Sequence, residues 1–228
     1  MKDNSLYKLG GIASIIVGIS YLVIGVTTLL LPSSLNGMPE AISPFFYFEA
    51  NRGLLLTNYW AFTIGAIFAL AMIPAVSAIV LQLNEGWVRW TASLATLGFV
   101  VAILDNYWAI VETPARAAAY VSGTEIIRVT LTIPGAPQVI DTQGWLGNGG
   151  VGLWVLVVGI LALRGKVFPK GLAYLWIFGA FAYFVGLAAT IIPYFALSGV
   201  GIGISAVGAI LGPIGYGWMG IHLWRLKE

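Results

Sequence analysis

The sequence predicts an all-α fold: a polytopic bundle of about six transmembrane helices with both termini in the cytoplasm. Three observations lead to this fold class: the composition, a series of long apolar segments, and the distribution of Lys and Arg. Of the 228 residues, 59% are hydrophobic and only 9% are charged, whereas a soluble domain has about 25% charged residues. The chain therefore lacks the polar residues needed to cover a surface in water, and its outer face is expected to contact lipid.

Six segments are long and apolar enough to be transmembrane helices, because a helix needs about 20 mostly apolar residues to cross the hydrocarbon layer. Their approximate bounds are 9–31, 55–83, 90–113, 145–163, 171–197 and 199–226. All of them belong to one integral membrane domain, residues 1–228. The long connections 32–54 and 114–144 are expected on the outer side, and loops of this length often carry function.

Positive charges are unequally divided between the two sides that this topology creates. Arg52, Arg116 and Arg128 lie on one side, and the remaining Lys and Arg residues lie on the other. Because Lys and Arg accumulate in cytoplasmic loops, the second side is assigned to the cytoplasm. The expected location is a bacterial-type inner membrane, which the chain crosses several times.

The composition excludes several kinds of cofactor site. There is no cysteine, so thiolate metal sites cannot form, and the single histidine, His222, cannot supply both ligands of a b-type haem. All lysines lie outside the predicted spans, which excludes a retinal Schiff base within the bundle. No metal site is expected and the cofactor is unknown. The net charge of +2, without a basic run, does not indicate a nucleic-acid partner.

Glycines recur at seven-residue intervals in four of the predicted spans. Small residues at this spacing form a flat stripe on a helix and let neighbouring helices approach closely in a membrane. We interpret the stripes as packing surfaces, with the lining of a substrate path as the alternative. The glycines concerned are Gly11, Gly18 and Gly25; Gly152 and Gly159; Gly179 and Gly186; and Gly201, Gly208 and Gly215.

Ionisable residues at the end of the third span are the strongest candidates for a functional site, because charged groups inside a bilayer are costly. Asp105 and Glu112 are two helical turns apart, and Arg116 follows one turn later. If the helix continues through Pro114, these three residues share a face with Trp108. Asp105 would then lie about 12 Å below the end of the span, deep enough to need a partner. Candidate partners are Arg116, Arg52, Asn58 and Asn148.

The first outer loop contains four consecutive aromatic residues, 45–48, followed by Glu49 and Arg52. Such a segment is expected to lie on the membrane surface, where it caps the bundle or gates a lipophilic pocket. The candidate ligand-binding residues are Asp105, Trp108, Glu112, Arg116, Glu49, Arg52 and Asn58. Asp105 and Glu112 are also the candidate catalytic residues. The alternatives are a structural ion-pair network of Asp105, Glu112, Glu49, Arg52 and Arg116, and a proton path.

In its length, its number of spans and its opening Leu6-Tyr7-Lys8-Leu9-Gly10-Gly11-Ile12-Ala13, the chain resembles a bacterial family of multi-pass membrane proteins known only as a domain of unknown function. The resemblance implies a multi-pass membrane fold. It implies no activity and no functional residues.

These observations favour a non-catalytic function, because no complete set of catalytic residues is present. We expect a membrane protein that binds a lipophilic small molecule or acts as a subunit of a membrane complex. The expected partners are membrane lipids, together with such a molecule or other membrane subunits. One alternative is a membrane enzyme that acts on a lipid or quinone at the outer face, with Asp105 or Glu112 as general base. Another is a small secondary transporter, for which an inverted repeat would be expected.

Overall fold

A computed structural model describes residues 5–31, 44–132, 140–141, 143–192 and 199–226. Regular secondary structure in these ranges is entirely helical, which confirms the predicted all-α class. The helices are α1 (Ser5–Leu30), α2 (Pro44–Ala50), α3 (Arg52–Val80), α4 (Glu85–Ser122), α5 (Glu125–Thr132), a π-helix (Trp145–Gly150) that continues into α6 (Val151–Gly165), α7 (Lys170–Ile191) and α8 (Gly199–Arg225).

Five helical segments in the described ranges are long and apolar enough to cross a membrane: α1, α3, α4, the π-helix with α6, and α7. Large apolar side chains such as Ile19, Leu22 and Val26 are exposed on the outer surface of α1, as expected of a surface that contacts lipid. The chain is therefore a membrane protein. Helix α8 coincides with the sixth predicted span, although the side chains of residues 199–209 lie outside the described ones.

Helix α4 extends well beyond its predicted bounds. Helix α4 continues through Pro114 as far as Ser122, past the predicted end at Thr113. Proline is tolerated inside membrane helices. Residues 117–119 are alanines, and alanine has the highest helix propensity of all residue types. The predicted loops 32–54 and 114–144 therefore contain helical structure, namely α2, the start of α3, the end of α4, and α5.

Glycine contacts close the interface between α1 and α8. A Cβ atom added to Gly18 would lie 3.0 Å from the Pro213 carbonyl oxygen and 3.1 Å from the Gly217 nitrogen. One added to Gly11 would lie 3.1 Å from the Gly220 carbonyl oxygen. Only glycine allows the two backbones to come this close. The packing interpretation is thus confirmed for Gly11 and Gly18.

The same reasoning applies between α6 and α7. A Cβ atom on Gly152 would lie 2.8 Å from the Tyr183 Cβ, and one on Gly159 would lie 3.1 Å from the Ile177 nitrogen. Gly179, in contrast, has nothing within 4 Å of its Cβ position. The packing interpretation is therefore wrong for Gly179, whereas Gly201 and Gly208 fall among the residues whose side chains are not described.

Contacts between neighbouring helices define two ends of the bundle. At the basic end, which carries Lys8, Arg89, Arg164, Lys166, Lys170 and Arg225, Gly165 adjoins the Leu83 side chain and the Phe168 ring lies 5.4 Å from that of His222. At the opposite, mixed-charge end, Phe45 lies 5.1 Å from Tyr120. The largest buried side chains, including Trp154, Met72, Leu172 and Leu223, form one core that extends from the middle of the bundle to the basic end.

Candidate functional site

A cavity of about 330 Å³ lies among α1, α3, α6, α7 and α8. Its walls are mainly apolar and aromatic, and the aromatic residues include Phe62, Trp176 and Phe178. Gly179 and Gly215 lie in the wall, and the absence of a side chain at these two positions enlarges the space. We call it the first cavity. Its polar lining consists of Tyr21, Tyr183, Tyr216 and Asn148.

The three tyrosines form a hydrogen-bonded chain that joins three helices. The Tyr183 hydroxyl of α7 lies 2.7 Å from the Tyr21 hydroxyl of α1 and 2.8 Å from the Tyr216 hydroxyl of α8. Ring contacts hold the phenols in place, with the Tyr21 and Tyr216 centroids 5.3 Å apart. Each hydroxyl has one hydrogen to donate. The two hydrogen bonds between the tyrosines use two of the three hydroxyl hydrogens. One O–H therefore remains to donate to a group other than these three tyrosines.

A second cavity of about 210 Å³ lies next to the first, nearer the mixed-charge end. Helix α4 contributes Phe99, Asp105 and Asn106, and the segment that leads into α6 contributes Asp141 and Asn148. Four residues line both cavities, so the two spaces adjoin at these side chains. They are Tyr21, Phe62, Asn148 and Tyr183.

Asp141 organises the wall of the second cavity at the start of the π-helix. Its Oδ1 accepts a hydrogen bond from the Trp145 nitrogen (2.8 Å), and its Oδ2 accepts two, from Leu146 (2.9 Å) and Gly147 (2.7 Å). These are free N–H groups of a helix N-terminus, where a carboxylate is also favoured by the helix dipole. Both oxygens of Asp141 are thus used by the backbone.

The turn before the π-helix requires glycine. Gly144 has a φ of +69°, a left-handed conformation that most other residues avoid. A Cβ atom at this position would also approach the Asn148 amide nitrogen to 2.6 Å. On α4, about two turns before Asp105, a Cβ on Gly98 would collide with the Leu146 carbonyl. The two glycines therefore allow the π-helix to pack against α4 and to direct Asn148 toward the cavities.

Only one of the two carboxyl oxygens of Asp105 accepts a hydrogen bond from a described residue. Its Oδ1 accepts a hydrogen bond from the Ile140 nitrogen (2.7 Å), and its Oδ2 accepts none from a described residue. The neighbouring Asn106 donates its amide N–H to the Ala102 carbonyl (2.7 Å), which leaves its oxygen free of described donors. The Asn148 side chain makes no hydrogen bond with any described residue. Unused polar groups therefore line the second cavity.

The predicted site residues do not form one cluster. Asp105 alone among them lines one of these two cavities. Trp108 is 48% exposed, and Glu112 forms no hydrogen bond or ion pair with another described residue. Asn58 lies in a different interface, where its amide donates to the Thr27 hydroxyl (2.7 Å) and so links α3 to α1.

The two outer arginines are also placed away from Asp105. Arg116 donates a hydrogen bond to the Leu131 carbonyl (3.3 Å) and lies over the Phe45 ring, 5.8 Å from its centroid. Arg52 pairs with Glu49 at 3.6 Å. Of the five residues in the alternative ion-pair network, Glu49 and Arg52 are the two that form an ion pair within the described ranges.

Sequence reasoning missed the tyrosine chain and the role of Asp141. A usable signal was present for both. Tyr21, Tyr183 and Tyr216 each lie inside a predicted span, where a phenol hydroxyl needs a partner because water is absent. Asp141 precedes an apolar segment by a few residues and is followed by Gly144, a pattern typical of a helix start. Asn148 was considered only as a partner for Asp105.

The described residues contain no group of three or more His, Asp or Glu side chains that could hold a metal ion. The arrangement offers instead apolar contact, one spare tyrosine hydrogen, two amide groups and one carboxyl oxygen. Comparison with known protein families, with curated proteins and with solved structures finds no match to this chain, so the family resemblance of its opening residues gains no support from them.

Proposed function

We propose that this protein is a non-catalytic integral membrane protein that binds a lipophilic small molecule in the first cavity. The observation that carries the proposal is the combination of an apolar space of about 330 Å³ with a few convergent polar groups. Ligand pockets are typically about 300–1,000 Å³, mostly apolar, with a small number of polar groups that fix orientation. The tyrosine chain fits this description, because its spare O–H can donate to an acceptor on the ligand.

The position of the cavity supports a ligand that arrives from the lipid. Phe178, which lines the cavity on α7, is 44% exposed at the surface of the bundle. The next residue, Gly179, has open space at its Cβ position. A lipophilic molecule dissolved in the bilayer would therefore meet the cavity across a short stretch of α7 without passing through water.

An enzyme that acts on a lipid or quinone is the second candidate function, because Asp105 lines a cavity and has an oxygen without a described partner. A general base must reach the proton that it removes. Glu112, the other candidate base, lines neither cavity.

We also propose a bacterial-type inner membrane as the location, with the basic end in the cytoplasm and lipids around the bundle. The support is the accumulation of Lys and Arg at that end. A reporter fused after Glu228 should be active in the cytoplasm, and a cysteine introduced at Ser122 should react with an impermeant reagent added outside. The opposite labelling pattern would overturn the orientation.

Native mass spectrometry of the protein purified in mild detergent tests the binding function. We expect a lipophilic molecule to remain bound to the native protein and to be absent from Gly179→Phe, whose added ring would occupy the first cavity. Gly217→Phe is the matched control, since Gly217 lies on α8, has nothing within 4 Å of its Cβ position and lines neither cavity.

Equal ligand content in both variants would contradict the proposal. If a second protein co-purifies in a fixed ratio and no small molecule is retained, the function as a subunit of a membrane complex would be favoured instead.

A further inference from the structure

The second cavity is lined by two carboxyl groups, aromatic rings and amide groups, but by no basic side chain among the described residues. Asp105 and Asp141 supply the carboxyl groups, and Phe62 and Phe99 are among the rings. A carboxylate in apolar surroundings needs a positive partner or several hydrogen-bond donors. Among the described residues, Asp105 receives one donor, the Ile140 nitrogen.

The positive charges of the chain can be followed one by one. The sequence has 11 Lys and Arg residues, and those in the described ranges line neither cavity. Arg116 and Arg128 are bound to backbone carbonyls and aromatic rings, and Arg52 is paired with Glu49. The remaining two of the 11, Lys2 and Lys227, lie outside the described residues. A cation for Asp105 is therefore not supplied by a described residue.

Asp141 does not share this need. Its two oxygens accept three hydrogen bonds from the backbone at the N-terminus of the π-helix, and the helix dipole there stabilises a negative charge. The unmet demand for a positive group in the second cavity comes from Asp105 alone.

An ammonium group matches the lining of this cavity. It has three N–H donors, and the cavity offers three unused acceptors: the Asp105 Oδ2 and the side-chain oxygens of Asn106 and Asn148. Cations are also attracted to the faces of aromatic rings, and Tyr21, Phe62, Phe99 and Tyr183 line the same space.

The first cavity adjoins the second cavity. Asn148 lines both and its amide is held by no described hydrogen bond, so, unlike Tyr21 and Tyr183, it has no hydrogen bond to break when it turns aside. A ligand with an amino group beside Asp105 can then place its apolar part in the first cavity.

Building on the function proposed above, we propose that the ligand is an amphiphilic amine. Its cationic amino group binds Asp105 in the second cavity, and its alkyl or aromatic part occupies the first cavity.

Equilibrium binding to the protein in phosphatidylcholine nanodiscs at neutral pH tests this class of ligand. The probes are dodecylamine, dodecanol and dodecanoate, which share a chain and differ in head group, with empty nanodiscs as the blank for partitioning. We expect saturable binding of dodecylamine at least about tenfold tighter than that of dodecanol, and no saturable binding of dodecanoate.

Two variants of α4 assign this preference to a residue. Asp105→Asn keeps an acceptor for the Ile140 nitrogen but removes the charge, and we expect it to weaken dodecylamine binding about tenfold or more with little effect on dodecanol. Glu112→Gln is the matched control, because it removes a carboxyl group from the same end of the same helix without touching either cavity. Its dodecylamine affinity should stay within about twofold of that of the native protein.

The outcomes separate the two proposals. Equal affinities for dodecylamine and dodecanol, both lost in Gly179→Phe, would overturn the amine proposal and leave the lipophile-binding function standing. The same decrease in Asp105→Asn and Glu112→Gln would also overturn it, because the effect would then come from surface charge. If none of the probes binds saturably, or if Gly179→Phe binds them as well as the native protein does, both proposals fall.

Discussion

The interface between α1 and α8 and the interface between α7 and α8 contain the same kind of sequence signal but have opposite structures. On the α1 side, Gly11 and Gly18 meet the backbone of α8 within about 3 Å of their Cβ positions. On the α7 side, Gly179 meets nothing within 4 Å and lines a cavity to which α8 also contributes. Glycine spacing therefore shows where two backbones can approach, but not whether they do.

The partner helix decides between the two outcomes. Opposite Gly11, helix α8 presents Gly220, whose Cβ position lies 2.7 Å from the Gly11 carbonyl oxygen, and opposite Gly18 it presents the backbone of Pro213 and Gly217. Between α7 and α8, large side chains such as Trp176, Tyr183 and Tyr216 interact with one another and keep the helices apart. In membranes, where helices have no hydrophobic drive to come together, such contacts set the spacing.

The largest effect is expected at the closed interface. In Gly18→Leu the new side chain would overlap the Pro213 carbonyl and the Gly217 nitrogen, backbone atoms that cannot turn away. Overpacking of this kind typically costs about 1–3 kcal/mol, so the midpoint of thermal unfolding in detergent should fall clearly. Gly53→Leu, which has open space around it, should change little. An unchanged midpoint for Gly18→Leu would contradict the close packing of α1 against α8.

A polar contact also holds the closed side, between α1 and α3. Asn58 is only 8% exposed and donates hydrogen bonds to the Thr27 and Thr28 hydroxyls and to the Ile24 carbonyl. Asn58→Leu should lower the free energy of unfolding by about 1–2 kcal/mol, the range of hydrogen bonds between membrane helices. Thr57→Val is the control, because that hydroxyl bonds only within its own helix. Equal effects of the two substitutions would show that Asn58 does not link the helices.

On the open side, Asp141 fixes the wall of the second cavity. Asp141→Ala leaves three backbone N–H groups without their acceptor, and losing a helix cap typically costs about 1 kcal/mol. Asp141→Asn keeps one acceptor and should lose less. Hydrogen exchange of residues 145–147 gives the local readout: faster exchange is expected in the alanine variant, and unchanged exchange would contradict the capping role.

The smallest effect, and one of opposite sign, is expected for Gly179→Leu. Its side chain would enter the first cavity rather than a neighbouring backbone. Replacing a helical glycine also stabilises the helix by roughly 0.5–1 kcal/mol, so unfolding should occur at the same or a slightly higher temperature. A loss of stability as large as that of Gly18→Leu would mean that the space between α7 and α8 is closed.

The helices could be predicted from the sequence because one physical requirement dominates a membrane chain. Backbone groups in lipid must bond internally, so each apolar segment of sufficient length becomes a helix. The bounds were less predictable. Residues 115–122 follow Pro114 and contain an arginine, and they were expected to belong to the outer connection 114–144. Their helix propensity nevertheless continues α4 to Ser122.

The site was predicted only in part, because residues from several distant segments form it. The expectation at Asp105 rested on one helix, and the helix indeed presents Asp105 to a cavity. The tyrosine chain, in contrast, joins positions 21, 183 and 216, and no spacing within a single segment reveals such a contact. The sequence could not show that Arg116 does not pair with Asp105. Arg116 instead contacts Phe45 and the Leu131 carbonyl, and both of these lie in segments that were expected to be loops.

Pro114 creates a position in helix α4 at which the helix can bend. The helix has 38 residues and is about 57 Å long at 1.5 Å per residue, nearly twice the thickness of the hydrocarbon layer of about 30 Å. Because proline has no N–H, the Ile110 carbonyl lacks its usual helical bond, and the rod bends most easily there. A displacement of the outer part of α4, where Tyr120 lies against Phe45, would be accommodated by bending at Pro114. The part of the helix that carries Asp105 would then keep its position.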